Sequence, residues 1–187
     1  MSQNDTAYSI QQCAVDINAA ISGAGADAKK LAAGLAGPMQ RLMQRDDLLE
    51  IGLPRQGNNV AFSRYLYFDG DMTMIVFKVP MEKAVQPHDH GIWESLFVYR
   101  GQLRHTKYQR RDAGDRDGYA ELDMVEDGVL SPGDFTVVAP PEDIHGFVAL
   151  TDDTYGISVV KGEYKEIRNY YTPESKEVVQ RKQVTSR

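Results

Sequence analysis

The stretch Pro87-His88-Asp89-His90-Gly91-Ile92-Trp93-Glu94 decides the reading of this 187-residue chain. Successive side chains of an extended segment point to opposite faces, so His88 and His90 share one side. Two imidazoles at that spacing fit adjacent positions on one metal ion. Glu94 has the same parity, but Gly91 offers a bend in between and leaves its direction open. A third histidine closes Pro140-Pro141-Glu142-Asp143-Ile144-His145. The chain has only 4 histidines, so finding three of them in two short stretches is not a matter of abundance. Three neutral nitrogen ligands with open positions beside them suit Fe(II), Mn(II), Ni(II) or Zn(II).

Around these stretches the pattern is that of a mainly β protein. Segments rich in Tyr, Phe, Val and Thr recur at strand spacing: 62–68, 72–79, 94–100, 102–110, 119–125, 134–139, 145–150, 154–161 and 166–171. Asp69-Gly70, Arg100-Gly101, Asp117-Gly118, Pro132-Gly133 and Asp152-Asp153 mark turns between them. Short strands at this spacing predict a sandwich or barrel. Arg110–Gly118 mixes both charges with glycine and reads as a solvated hairpin tip.

The segment before residue 50 differs in kind. It is rich in Ala, Leu, Met and Gln, which favour helix. One helix is expected to stop near Ser22-Gly23. Asp27 is a plausible N-cap for a second, with Leu31 and Leu35 on one face. Gly37-Pro38 is expected to break or kink it. The predicted organisation is one domain: a helical lead over 7–50, a barrel over 60–172 and a loose or crossing tail over 173–187.

A formal charge of −6 argues against a general phosphate-backbone binder, so no nucleic-acid partner is expected. No apolar run reaches membrane-spanning length, and residues 1–12 lack a signal pattern. The lone Cys13 excludes an intrachain disulfide framework and fits a reducing compartment, so a cytoplasmic location is expected. Cys13 itself reads as an inert buried thiol. Oligomeric state is open.

The spacing His88-x-His90, Glu94, Gly101, followed by Pro132-Gly133-Asp134 and Pro140…His145, resembles the cupin superfamily. Its members are double-stranded β-helix (jelly-roll) barrels whose two motifs give three histidines and often a glutamate to one metal. Glu82 stands where the first motif opens on glycine, and Glu142 where the second has one. Within that superfamily the helical lead, the strand Phe62-Ser63-Arg64-Tyr65-Leu66, His-Asp-His and Pro-Glu-Asp-Ile-His together resemble the cysteine dioxygenase and 3-mercaptopropionate dioxygenase family of thiol dioxygenases. That resemblance implies Fe(II), O2 and a small thiol acid. It places Arg64 on the substrate carboxylate, with Trp93 as a neighbouring pocket wall or a core residue.

Two departures keep other functions open. Glu94 stands where those dioxygenases carry cysteine or glycine, either as a fourth ligand or as a nearby base. No Ser-x-His-x-Tyr relay exists in Gly156-Ile157-Ser158-Val159-Val160. The alternatives are a four-ligand His3Glu isomerase, lyase or C–C cleaving dioxygenase, and a small-molecule-binding cupin without turnover. His105 reads as an ordinary, partly exposed strand histidine, and Met72 and Met74 as barrel filling.

Overall fold

Helix α1 (Ile10–Ala24) starts at a reciprocal cap in which Ser9 Oγ accepts from the Gln12 N–H and Gln12 Oε1 accepts from the Ser9 N–H. Asp27 caps helix α2 (Ala28–Leu42) as expected, accepting from the N–H groups of Lys29 and Lys30. Leu31, Leu35, Met39 and Leu42 form one buried stripe. Of the expected break or kink at Gly37-Pro38, the break does not occur: α2 runs through Pro38 to Leu42. The burial of Met39 and Leu42 beyond the proline offsets the hydrogen bond it cannot make. Cys13 is fully buried under this turn, its thiol pushed up to about 12, chiefly by burial.

The computed structural model describes residues 8–25, 27–55, 62–81 and 83–182. The ends of the expected lead and tail, the start of the expected barrel and Glu82 lie outside them. Twelve strands follow the helices among the described residues: β1 (Leu53–Pro54), β2 (Ser63–Phe68), β3 (Met72–Lys78), β4 (Val85–His88), β5 (Glu94–Arg100), β6 (Leu103–Arg110), β7 (Leu122–Leu130), β8 (Phe135–Val138), β9 (Ile144–Ala149), β10 (Tyr155–Lys161), β11 (Ile167–Thr172) and β12 (Glu177–Lys182). They form two antiparallel six-stranded sheets, in the orders β1-β2-β3-β10-β5-β8 and β12-β11-β4-β9-β6-β7. From β3 on, the chain passes repeatedly from one sheet to the other, which is the double-stranded β-helix expected from the two motifs. No helix among the described residues is long and apolar enough to cross a membrane.

The first sheet is buried on both faces. One face carries Ile75, Phe77, Leu96 and Val98 into the barrel, against Leu103 and Ala149 of the second sheet. The other carries Met72, Met74, Val76, Phe97 and Val159 against α1 and α2. Met72 and Met74 therefore lie outside the barrel, under the helices.

Edge strands depart most from expectation. Among the described strands β7 pairs with β6 alone, from Leu122 to Leu130, and is held by ion pairs of Asp127 with Arg104 and of Glu126 with Lys107. With both faces exposed it shows no apolar alternation. The expected loose tail instead forms β12, paired along all of β11. Its charged residues suit an exposed edge, where backbone pairing rather than side-chain burial holds the strand.

Candidate metal centre

Register brings the three histidines together. His88, the last residue of β4, sits directly opposite His145 on β9. His90 follows two residues on, and Gly91 turns the chain at φ +59°, a conformation that favours glycine. Glu94 then opens β5 with its side chain inside the barrel, on the face of Leu96. One ligand atom from each of His88, His90 and His145 lies within 4.8 Å of the others. His90 Nε2 is 2.8 Å from His145 Nε2, 2.7 Å from Glu94 Oε2 and buried with both. Glu94 Oε2 is also 3.5 Å from His145 Nε2.

Neighbouring groups aim these atoms. Asp143 is buried and accepts from the N–H groups of His90 at 3.0 Å and Gly91 at 2.6 Å, pinning the loop between the ligands. Asp89, of opposite parity, points away from the cluster and accepts from Asn169 and the Tyr171 hydroxyl. His88 Nδ1 faces the Gln86 carbonyl at 2.9 Å, so it carries the proton and Nε2 presents a lone pair inward. Tyr170 stacks on the His88 ring. Tyr164, in the loop after β10, donates its hydroxyl to Glu94 Oε1 at 2.6 Å.

The electrostatics suit a cation. Burial drives the His88 imidazole well below its ordinary value, and His90 and His145 beside it add to the shift. Burial also lowers His90, against the pull of Glu94. Burial alone would raise Glu94, but His90 and His145 hold it well below the usual carboxylate range. Burial thus favours neutral rings at His88 and His90, beside an ionised Glu94. Glu94 Oε2 is buried without a hydrogen-bond partner among the described residues. Facing lone pairs repel unless protons or a positive ion lie between them. An N3O donor set of this kind fits Fe(II), Mn(II), Ni(II) or Zn(II).

The structure does not bring every expected residue to this place. Arg64 pairs in register with Val76, on the helix-facing side of the sheet. Its guanidinium donates to the carbonyls of Ile51 at 2.7 Å and Gly52 at 3.0 Å, tying the lead into β1. It is turned away from the histidines. Trp93, one residue before Glu94, is partly buried against the core cluster of the helices and the first sheet. His105, expected to be partly exposed, is 1% exposed, with Nε2 at 2.9 Å from His145 Nδ1. Burial lowers its pKa to about 3.

A cavity of about 570 Å³ lies beside Tyr164, lined by Leu53, Pro54, Arg55, Tyr65 and Tyr67 among others. The Arg55 guanidinium carbon lies 5.7 Å from the Tyr65 ring and 5.9 Å from the Tyr164 ring. Its Nε is buried without a hydrogen-bond partner among the described residues. The Tyr164 ring in turn lies 5.4 Å from that of His90. Arg55 and Tyr164 were not legible as site residues, since one sits at the end of a two-residue strand and the other in a loop.

No family model matches the chain, and no curated protein does. Solved structures do. KdgF from Halomonas sp. is 21% identical over 58% of this chain and 88% of its own, with a TM-score of 0.42. An uncharacterized conserved protein with a double-stranded β-helix domain from Klebsiella pneumoniae is 16% identical over 61% of this chain and 77% of its own, with a TM-score of 0.41. Procruciferin, an 11S globulin from Brassica napus, is 13% identical over 60% of this chain and 28% of its own, with a TM-score of 0.44.

Proposed function

We propose that this chain is a mononuclear metal-dependent cupin enzyme acting on a small carboxylate-bearing substrate. His88, His90, His145 and Glu94 would hold the ion. The observation that carries this reading is the buried Glu94 Oε2, 2.7 Å from His90 Nε2 and 3.5 Å from His145 Nε2, so that one carboxylate oxygen and two imidazole nitrogens converge. A divalent ion supplies Lewis-acid polarisation of a substrate oxygen, and Fe(II) in addition redox chemistry with O2 as co-substrate.

The chain's own residues do the rest. The Tyr164 hydroxyl occupies Glu94 Oε1 and leaves Oε2 to face the histidines. Burial and the adjacent Glu94 charge raise Tyr164 well above its ordinary pKa, so it remains a proton donor at neutral pH. Arg55 offers a guanidinium fork to a carboxylate in the cavity. Tyr164 links that fork to the cluster: its ring lies 5.9 Å from the Arg55 guanidinium carbon and 5.4 Å from the His90 ring. The apolar barrel interior excludes bulk water.

This favours the four-ligand alternative over a thiol dioxygenase. Glu94 takes a place that a chelating thiol needs, and Arg64 faces away. One observation favours the thiol reading: a tyrosine hydroxyl, that of Tyr164, does stand beside the cluster. The test is turnover of a panel of small thiols and hydroxy, keto and sugar acids, with Fe(II), Mn(II), Ni(II) and Zn(II) supplied separately. Metal-dependent conversion of a non-thiol acid, lost in His88→Ala, supports the proposal. Thiol-dependent O2 uptake with Fe(II) alone would replace it with the dioxygenase. Tight binding of an acid recovered unchanged with every metal would replace it with a binding protein.

A further inference from the structure

The histidine left over from the cluster is His105. It sits on β6, opposite Phe147 in the β6–β9 register and therefore diagonal to His145 on the same face. Its ring stacks on Phe147, at 11° and 6.5 Å between centres. Its Nε2 lies 2.9 Å from His145 Nδ1. Its own Nδ1 is buried without a partner among the described residues. An apolar residue would fill this space without an unpaired Nδ1 of its own, but it would take away the partner of His145 Nδ1.

We infer that His105 is a positioning residue, which accepts the Nδ1–H of His145 through its Nε2 and so holds His145 with its Nε2 lone pair on the metal side. The inference rests on the metal-centre reading. A neutral imidazole carries one proton, and His145 can offer a lone pair at Nε2 only if that proton is on Nδ1. The proton needs an acceptor. His88 uses the Gln86 carbonyl for this purpose. At His145 the neighbouring atom is an imidazole nitrogen, and His105 serves only if its own proton is on Nδ1, the buried unpaired position. A carboxylate at 105 would also accept, but it would place a second buried negative charge near Glu94. His105 supplies the acceptor without the charge, which leaves Glu94 as the anionic member of the cage.

The experiment uses zinc alone as the probe. Zinc affinity is measured for the parent chain, His105→Phe and His105→Gln, with the metal-free melting temperature as the folding control. The amide oxygen of glutamine falls near the position of Nε2 and accepts a hydrogen bond; phenylalanine fills the space and does not. His105→Phe is expected to lose about 10–100-fold in affinity, in line with other outer-shell partners, and His105→Gln to regain most of it. In the zinc-loaded parent, nitrogen-15 spectra of the imidazoles should show protons on Nδ1 of both His145 and His105. Three results would overturn the inference: undiminished affinity in His105→Phe, a folded His105→Gln that loses as much as phenylalanine, or a proton on His105 Nε2. A folded parent that binds no zinc overturns the metal-centre reading as well, and is thereby distinct from the other three.

Discussion

Glu94→Gln isolates the charge of the fourth candidate ligand. The amide keeps the size of the carboxylate and an oxygen for the Tyr164 hydroxyl, which lies 2.6 Å away in the parent chain. It removes a buried negative charge 2.7 Å from His90 Nε2 and 3.5 Å from His145 Nε2. Outer-shell changes cost up to about 100-fold in metal affinity, so loss of a charged ligand should cost about 100-fold or more. With metal well above both dissociation constants, that factor removes about 2.7 kcal/mol of metal-induced stabilisation. At about 2–4 °C per kcal/mol for a chain of this size, the metal-induced rise in Tm shrinks by about 5–11 °C. The metal-free Tm should fall modestly, because the amide gives up the attraction by which His90 and His145 hold the carboxylate ionised in the folded chain. Scanning calorimetry with and without Zn(II) reads both quantities. A metal-induced rise within about 2 °C of the parent's would refute Glu94 as a ligand and leave a three-histidine site.

Other outcomes follow from the same geometry. Asp143→Ala strips the acceptor from the buried N–H groups of His90 and Gly91 and should cost about 3–5 kcal/mol in urea denaturation, with Asp143→Asn costing less; a loss below about 1 kcal/mol would show that the loop holds itself. The metal-free protein should lose stability as pH falls from about 6.5 towards 3, by up to about 1.4 kcal/mol per pH unit for each buried histidine. The folded chain keeps His88, His90 and His105 neutral where the unfolded chain protonates them, so the unfolded state binds more protons throughout that window; a urea midpoint unchanged between about pH 7 and 4 would contradict it. For whichever acid the substrate panel identifies, Arg55→Ala should raise KM by about 10–100-fold. Arg64→Ala should leave KM alone and cost about 1–3 kcal/mol of stability through the orphaned carbonyls of Ile51 and Gly52; steady-state kinetics with the roles reversed would restore Arg64 to the site.

What the sequence made legible was local, and what it hid depended on pairing at a distance. His88 and His90 follow from strand parity alone, and His145 from its position after Pro140. The helix start at Asp27 follows from side-chain chemistry. Glu94 was half legible: its parity was right, but the bend at Gly91 hid the direction. Arg64 misled because both faces of the first sheet are buried, so no polar-outward alternation marks which face enters the barrel. His105 joins the cluster only through the β6–β9 register, which no local pattern encodes. Edge strands β7 and β12 bury too little to leave an apolar signature.

On the proposed function, His88, His90, His145 and Glu94 form one metal site per chain. Its most direct test is metal stoichiometry by elemental analysis, after stripping with chelator, reloading with Mn(II), Fe(II), Ni(II) or Zn(II) and removing the excess. One tightly held ion per chain is expected for at least one of these metals, lost from His88→Ala and His145→Ala while both stay folded by circular dichroism. A folded parent chain that retains no metal, or folded histidine variants that retain it fully, would rule such a site out.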